Sequence, residues 1–199
     1  MWEGQEFEDR RFDGDRFEEV EMRECRFIRC SFVGARMSEI KTLRCEFDEC
    51  DFTQAGLGTS THISSSFLNC DLTNADLFGA TVSQCRFIGA NMGGTDLTNL
   101  VVSGGDWSYA NLRGQKLDGL DFREVLFVGA DLSGASLKKT DLREAKLDKA
   151  VFANAKMGQA DLRGASLNEV DLRSADLKKA RLSFEQAIHF AKCFGILVE

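Results

Sequence analysis

Residues 130–147 read ADLSGASLKKTDLREAKL, and a large apolar residue returns in this stretch at every fifth position. The same register runs from Phe7 to Leu182 through 36 positions without an insertion or a deletion. Only Thr42 and His62 among these positions are not large and apolar. An amphipathic helix needs a repeat near 3.6 residues and a half-buried strand a repeat of about 2, so neither explains the pattern. A fixed longer register indicates a stacked repeat architecture.

A small residue stands two positions before most of the large ones. From residue 130 onward alanine fills most of these slots, and six of the seven cysteines occupy earlier ones: Cys25, Cys30, Cys45, Cys50, Cys70 and Cys85. Stacked side chains would point in parallel, which is poor geometry for a disulfide. We therefore predict buried free thiols that act as small hydrophobic residues, rather than disulfides or zinc ligands. Free core thiols also fit a reducing cytosol.

The resulting unit has a small residue, then often Asp or Asn, then a large apolar residue and two variable ones. It resembles the A(D/N)LXX unit of the pentapeptide repeat family over about residues 5–182. The resemblance implies an all-β solenoid, a right-handed quadrilateral parallel β-helix of about nine coils within residues 1–182. Four pentapeptides make each coil, so residues 20 apart would stack about 4.8 Å apart, and each coil would bury its apolar atoms against its neighbours.

Two columns of this expected rod stand out. One is a continuous aromatic ladder of Phe7, Phe27, Phe47, Phe67, Phe87, Trp107 and Phe127. If this ladder were exposed, its rings would stack on nucleic-acid bases. The ladder occupies the inward-facing positions of the repeat, so we predict a buried core column instead. The other column holds Thr42 and His62, and we expect a bulge near residues 60–66 that turns Leu43 and Ile63 inward. No partner set favours His62 as a metal ligand or a catalytic base.

The repeat ends at Ser183, where a helix is predicted. Ser183 to Gln186 fits the capping box S-x-x-Q, and Gly195 suits the position after the helix. We predict that residues 183–199 form a capping helix and tail over the last coil. This segment contains more apolar residues than a small cap needs in order to cover the last coil. We therefore also predict a homodimer interface through Ile188, Phe190, Ala191, Phe194, Ile196, Leu197 and Val198.

The chain carries 32 acidic and 25 basic residues, a net charge of −7. This excess argues against direct nucleic-acid binding, because DNA affinity comes largely from basic groups that neutralise phosphates. Residues 45–112 hold eight acidic side chains and Arg86 as their only Lys or Arg. Stacked like charges repel, so this block is either a solvated face or a surface for a basic partner. We predict the second, through Asp48, Asp51, Asp71, Asp76, Asp96 and Asp106.

Later acidic columns run beside basic ones. Asp121, Asp141 and Asp161 are each followed two residues later by an arginine. We interpret these pairs as mutually compensating and structural.

Within the family, the chain is similar to the MfpA/Qnr-type proteins, which bind DNA gyrase and are linked to fluoroquinolone resistance. The similarity rests on Gly93–Leu97, on Gly129–Ala135 and on the C-terminal pairs Gln186-Ala187 and Phe190-Ala191 with Gly195. It implies a DNA-mimicking dimeric rod that occupies the DNA-binding saddle of gyrase, and by extension of topoisomerase IV. Nine coils span about 43 Å, over which duplex DNA carries roughly 25 charges. The charge of this chain is far smaller, so mimicry would be confined to a face.

The sequence also departs from those relatives, because it has no proline and its register has no insertion. The kink and the projecting loops found among them are therefore not expected here. Two alternatives stay open: a structural scaffold for another protein partner, and a self-immunity factor that guards a producer's own topoisomerase.

An enzyme is disfavoured, because the sequence shows no Ser-His-Asp set, phosphate-binding glycine loop or paired catalytic carboxylates. We expect no cofactor and no metal. The charged N-terminus has no apolar core of a signal peptide, and no stretch is long and apolar enough for a membrane helix. The sequence therefore predicts a cytoplasmic protein that does not enter a membrane.

Overall fold

The computed structural model describes residues 1–198 as a parallel β-solenoid that ends in one helix. The elements are β1 (Trp2–Glu3), β2 (Glu6–Glu8), β3 (Glu21–Arg23), β4 (Arg26–Ile28), β5 (Lys41–Leu43), β6 (Glu46–Asp48), β7 (Thr61–Ile63), β8 (Ser66–Leu68), β9 (Thr81–Ser83), β10 (Val101–Ser103) and α1 (Phe184–Cys193). They form two sheets, in the orders β1-β3-β5-β7-β9-β10 and β2-β4-β6-β8. Within residues 1–198 no helix is long and apolar enough to cross a membrane.

Residues 20 apart pair along the rod. Phe27 pairs with Phe47 between β4 and β6, and single bridges continue the same offset as far as Asp161 and Arg181. The predicted fold class is therefore confirmed. The prediction was nine coils. The strands of the longer sheet span only about five turns. In the later coils each side shortens to one bridged residue followed by a turn.

The aromatic column lies in the core, as predicted. The rings of Phe27 and Phe47 stack with centroids 4.9 Å apart, and those of Phe67 and Phe87 with centroids 5.0 Å apart. All four are buried, so they are not available to stack nucleic-acid bases. Sequence analysis started the register one unit late, because Trp2 packs on Phe7 with a centroid distance of 5.4 Å at the N-terminal end.

The six cysteines of the small slots are buried and free, as predicted. Their thiols donate to backbone carbonyls, as Cys50 Sγ does to Phe27 O of the neighbouring coil at 3.4 Å. Burial raises the pKa of the Cys45 and Cys85 thiols to about 11. These groups are therefore packing residues and not nucleophiles.

The corners of the rod explain why proline is absent. From Asp9 to Glu169, the second residue after each large one adopts the left-handed region, as in Asn69 with φ 49° and Gly89 with φ 68°. Proline is fixed near φ −65° and cannot take that conformation. At Gly105, with φ 108°, a Cβ atom would clash with the carbonyl oxygen of Cys85, so the corner requires glycine there.

The bulge expected near residues 60–66 is wrong. Thr42 and His62 pair in regular register between β5 and β7 and are buried, whereas Ile63 stays 43% exposed. The pair remains inside because its polar atoms are satisfied: His62 Nδ1 lies 2.8 Å from Thr42 Oγ1, and His62 Nε2 lies 2.8 Å from Ser60 Oγ. Leu43 accordingly stays on the outer surface, half-buried.

The irregularity lies further along the rod. Within the described residues, no backbone hydrogen bond joins residues 94–104 to residues 113–123, although these stretches face each other across two sides of the rod. The next side keeps its ladder, as in Trp107 N donating to Leu126 O at 2.7 Å. We call this gap the seam. Cavities of about 340 and 500 Å³ lie along it.

Two corners along the seam carry large residues. Two adjacent coils place Thr95 above Gln115 and Leu100 above Leu120, in slots that alanine fills within residues 151–180. We attribute the wider spacing to these facing side chains. Consistent with a wider spacing, a Cβ atom on Gly119 would meet no atom within 4 Å.

The helix α1 begins as predicted. Ser183 Oγ accepts from the backbone N–H of Gln186, and Gln186 Oε1 accepts from the backbone N–H of Ser183 at 2.7 Å. Gln186 Nε2 also donates to the carbonyls of Leu162 and Ala165, so this side chain covers open backbone acceptors of the last coils. Gly195, with φ 73°, follows the helix at the predicted position.

Candidate functional site

The aspartates that precede the large residues have a structural role that sequence analysis missed. Asp51 Oδ1 accepts from Thr53 N at 2.8 Å, and Asp76 Oδ1 accepts from Phe78 N at 2.8 Å. Asn91 Oδ1 makes the same contact with the amide of the residue two positions on. This side-chain turn needs an acceptor oxygen rather than a charge. The Asp/Asn choice in the repeat motif is the signal that could have revealed it.

The six predicted acidic site residues do not share one face. We number the four sides of the rod in chain order: β1 and β2 begin sides 1 and 2, and sides 3 and 4 begin at residues 11 and 16. Asp51 and Asp71 are bridged neighbours on side 3, and Asp76 and Asp96 on side 4. The two remaining residues, Asp48 and Asp106, lie on side 2. The predicted acidic surface therefore wraps around three sides of the rod, and its role in partner binding stays a prediction.

The side 4 pair is the most open part of this set. Asp76 and Asp96 are exposed, whereas the other four residues are half-buried. Asp71 is also engaged locally, because it accepts from Thr73 Oγ1 at 2.5 Å and from Asn91 Nδ2 at 3.3 Å. Hydrogen bonds from the side chain and backbone of Thr98 lower the pKa of Asp96, so this carboxylate is charged at neutral pH.

None of these carboxylates forms an ion pair in the part of the chain that the structure describes. Among residues 1–198, no basic nitrogen lies within 4.0 Å of a carboxylate oxygen of any of the six aspartates. The residue two positions after Asp71 or Asp96 is threonine, and after Asp76 it is Phe78. Each of these three side chains thus keeps its negative charge available to a partner.

The later coils place arginine in that same slot. The pairs Asp121–Arg123, Asp141–Arg143 and Asp161–Arg163 have N···O distances of 2.6, 2.6 and 2.7 Å. Hydrogen bonding to Arg123 lowers the pKa of the Asp121 carboxyl, and Arg143 does the same for Asp141. The predicted compensation is confirmed.

The C-terminal segment presents apolar side chains to solvent. Phe194, Ile196, Leu197 and Val198 are exposed, Leu197 to 89%. The other predicted interface residues, Ile188, Phe190 and Ala191, belong to α1, where Phe190 and Ala191 are half-buried. The rings of Phe190 and Phe194 pack with centroids 5.0 Å apart. The segment therefore exposes several apolar side chains at one end of the rod.

Among the side chains of residues 1–188 and 190–198, no three His, Cys, Asp or Glu residues are grouped so that they could hold a metal ion. His62 is fully buried, and desolvation lowers its pKa to about 4. It cannot exchange protons with a bound substrate from that position.

Comparisons with known proteins agree with this architecture. The profile of pentapeptide repeats matches residues 64–104, 108–144 and 145–183 with eight copies. The solved structure of a trypsin-treated variant of QnrB1, a plasmid-mediated fluoroquinolone resistance protein, has a TM-score of 0.87 with 24% identity and 99% coverage of both chains. Full-length QnrB1 gives a TM-score of 0.84 with 23% identity, over 98% of this chain and 99% of that one.

A more distant solved structure is HetL, a pentapeptide repeat protein involved in heterocyst differentiation regulation in the cyanobacterium Nostoc sp. strain PCC 7120. Its TM-score is 0.52 with 22% identity, over 90% of this chain and 85% of that one. The comparison with curated protein sequences gives no match. The repeat profile nevertheless covers more than half of the residues, and the paired 20-residue offset agrees with it. The chain therefore belongs to the pentapeptide repeat family.

Proposed function

We propose that this protein binds DNA gyrase through its acidic central coils, in place of DNA, and thereby inhibits the enzyme or protects it from fluoroquinolones. The observation that carries the proposal is the column of Asp76 and Asp96, two exposed carboxylates on adjacent coils that have no Lys or Arg nitrogen within 4.0 Å in the described part of the chain. The shared fold with QnrB1, a fluoroquinolone resistance protein, supports the choice of partner. Topoisomerase IV, a related DNA-binding enzyme, is a second partner to test.

The geometry suits recognition by a basic groove. Each carboxylate is held by a backbone hydrogen bond, so little side-chain freedom is lost when a partner binds. Neighbouring coils repeat the charge about 4.8 Å apart, on a rod whose acidic residues wrap three sides. A basic DNA-binding surface would attract such a rod over a distance and speed its association.

A supercoiling assay with purified gyrase tests the proposal, with and without ciprofloxacin. The test variant is Asp76→Asn with Asp96→Asn, because asparagine keeps the turn acceptor and removes the charge. The matched control is Asp131→Asn with Asp171→Asn, which changes net charge equally at carboxylates already paired with Arg113 and Arg173. We expect inhibition by the wild type and the control, and weaker inhibition by the test variant.

The outcomes separate the possible functions. Reduced ciprofloxacin-induced cleavage would add protection to inhibition. Equal inhibition by all three proteins would remove side 4 from the mechanism, and Asp51→Asn with Asp71→Asn would then test side 3. No effect on gyrase or topoisomerase IV at micromolar concentration would favour a scaffold with another partner.

We also propose that residues 183–199 join two copies of the chain into a longer rod. The exposed side chains of Phe194, Ile196 and Leu197 support this, because burying them against a second copy would remove apolar surface from water. Leu197→Glu should convert a dimer into a monomer in light-scattering chromatography. A wild-type monomer at micromolar concentration would contradict the proposal.

A further inference from the structure

Six of the ten lysines of the chain lie on one side of the rod, on four successive coils. They are Lys116, Lys138, Lys139, Lys156, Lys178 and Lys179, all on side 4. We call this group the lysine strip. Within residues 1–198 none of the six lies within 4.0 Å of a carboxylate oxygen.

The arginines of the same coils behave differently. Each of them has a carboxylate partner within 4.0 Å: Arg113, Arg123, Arg143, Arg163, Arg173 and Arg181. Arginine therefore serves the internal ion pairs of the C-terminal coils. The charge of the lysine strip is left for an external ligand.

Two acidic residues share side 4 with the strip, and both are engaged by backbone. Asp118 Oδ1 accepts from Lys138 N at 2.8 Å, and Asp176 Oδ1 accepts from Lys178 N at 3.1 Å. The lysines still outnumber these acids by three to one. Beside the strip, a groove of about 530 Å³ runs along the corner to side 1. It is lined by Lys139, Lys179 and Arg181 and also by Asp141 and Asp161, which are paired with Arg143 and Arg163.

We propose that the lysine strip binds the phosphate backbone of duplex nucleic acid. Four coils extend about 14 Å along the rod, over which a duplex presents roughly eight phosphate charges. Lysines on flexible stems can follow phosphates without reading sequence. The net charge of the whole chain is negative, but on side 4 the exposed Asp76 and Asp96 lie across the seam from this strip.

An acidic protein is a poorer fit to the strip. Stable protein interfaces are organised around buried aromatic or aliphatic residues. Between the lysines, the outward positions of side 4 hold Ser136, Gly158 and Gln159, and no large apolar side chain. A surface of separated charges without an apolar centre matches a phosphate chain better than a folded partner.

The test is fluorescence anisotropy of a labelled DNA duplex titrated with the full-length protein across about 50 to 200 mM salt. The strip variant carries Lys138→Gln, Lys139→Gln, Lys178→Gln and Lys179→Gln. The matched control changes the four lysines outside the strip: Lys41→Gln, Lys146→Gln, Lys149→Gln and Lys192→Gln. Both variants lose the same charge, and a circular dichroism melt checks that both are folded.

We expect wild-type affinity to fall with salt at a log–log slope near about −5, corresponding to six lysine–phosphate contacts. The strip variant should lose at least about tenfold in affinity, and its slope should become shallower by about 3 to 4. The control should bind within about twofold of the wild type, since it leaves all six strip contacts in place.

Three results would overturn the proposal: no wild-type binding at the lowest salt, an equal loss in the control, or undiminished binding by the strip variant. A fourth would be a competition in which poly-glutamate displaces the duplex and binds the protein as tightly as the duplex does. That result would assign the strip to acidic proteins. The titration contains no gyrase, so its failure leaves the proposed inhibition of gyrase standing.

Discussion

The central coils, residues 45–112, and the C-terminal coils, residues 113–181, use the same aspartate for the same turn and differ in the residue two positions later. Asp96 accepts from Thr98 N at 2.9 Å, and Asp141 accepts from Arg143 N at 3.1 Å. Only the second aspartate is also paired with a guanidinium. The aspartate therefore serves the turn in both regions, and the residue after the large one decides whether its charge is also paired with an arginine.

The seam lies at the border between these two regions. On side 4 it separates the exposed Asp76 and Asp96 from Lys116, the first residue of the lysine strip. The rod thus changes its charge where its backbone ladder is interrupted.

The largest contrast should appear in amide hydrogen exchange across this border. The amides of Leu97, Asn99 and Val102 lack a ladder partner in the described structure, whereas those of the preceding coil have one. We expect them to exchange at least about a thousandfold faster than Leu77 and Gly79, because their exposure needs no global unfolding. Mass spectrometry or NMR exchange at neutral pH measures the difference.

A variant with Leu100→Ala and Leu120→Ala sharpens this test. If oversized corner residues cause the seam, the variant should recover protection at these amides. Uniform protection in the wild type would show that the ladder is continuous in solution.

The cores of the two regions differ in their response to acid. His62 stands in the column that Leu142 and Leu162 fill in the C-terminal coils. Desolvation lowers its folded pKa from 6.5 to about 4, so the unfolded chain binds the proton more readily between these values. The free energy of unfolding therefore keeps its full value above pH 6.5 and falls as the pH drops toward 4. The total loss is about 3 kcal/mol, because each pH unit costs about 1.4 kcal/mol.

Urea unfolding at a series of pH values measures this loss. The control is His62→Leu, the residue type of the same column further along the rod. The free energy of unfolding of this variant should fall by about 3 kcal/mol less than that of the wild type between pH 6.5 and about 4. An unchanged profile would assign the acid sensitivity to carboxylates instead of His62.

Arginines placed in the central coils should remove the difference between the two regions. Thr73→Arg with Thr98→Arg puts a guanidinium two residues after Asp71 and Asp96, as the C-terminal coils do. We expect at least about tenfold weaker inhibition of gyrase, equivalent to about 1.4 kcal/mol. Supercoiling assays give the concentration for half inhibition.

A matched control keeps the number and slot of the new arginines. Ser83→Arg with Ser103→Arg uses the same repeat position in the same region, but on side 1, where Thr81 and Val101 replace the aspartate. This control should inhibit like the wild type. An equal loss in both variants would mean that total charge, rather than exposed aspartate, controls binding.

Most of the fold could be predicted from the sequence, because its signals are periodic. A register of five residues identifies the core, and the arginines after Asp121 and Asp141 stand where local pairing requires them. The seam could not be predicted in the same way, because it depends on the combined volumes of facing corners such as Leu100 and Leu120. The bulge was misplaced because a polar residue such as His62 was assumed to disturb the core, whereas neighbouring hydroxyl groups satisfy it.

The candidate site was only partly predictable. The five-residue register places Asp51 and Asp76 on different sides of the rod, but it does not show that Asp76 is exposed while Asp51 is half-buried. The backbone role of these residues was missed, because composition shows their charge and not their acceptor oxygen.

The smallest predicted effect separates that role from the charge. Asp76→Ala removes the acceptor for Phe78 N and should lower the free energy of unfolding by about 1 kcal/mol. Asp76→Asn keeps the acceptor, as Asn91 does naturally, and should change stability by less than about 0.5 kcal/mol. Urea titration at neutral pH measures both variants. If Asn destabilised as much as Ala, the carboxylate charge itself would be needed for the turn, and the side 4 aspartates could no longer be assigned to a partner independently of the fold.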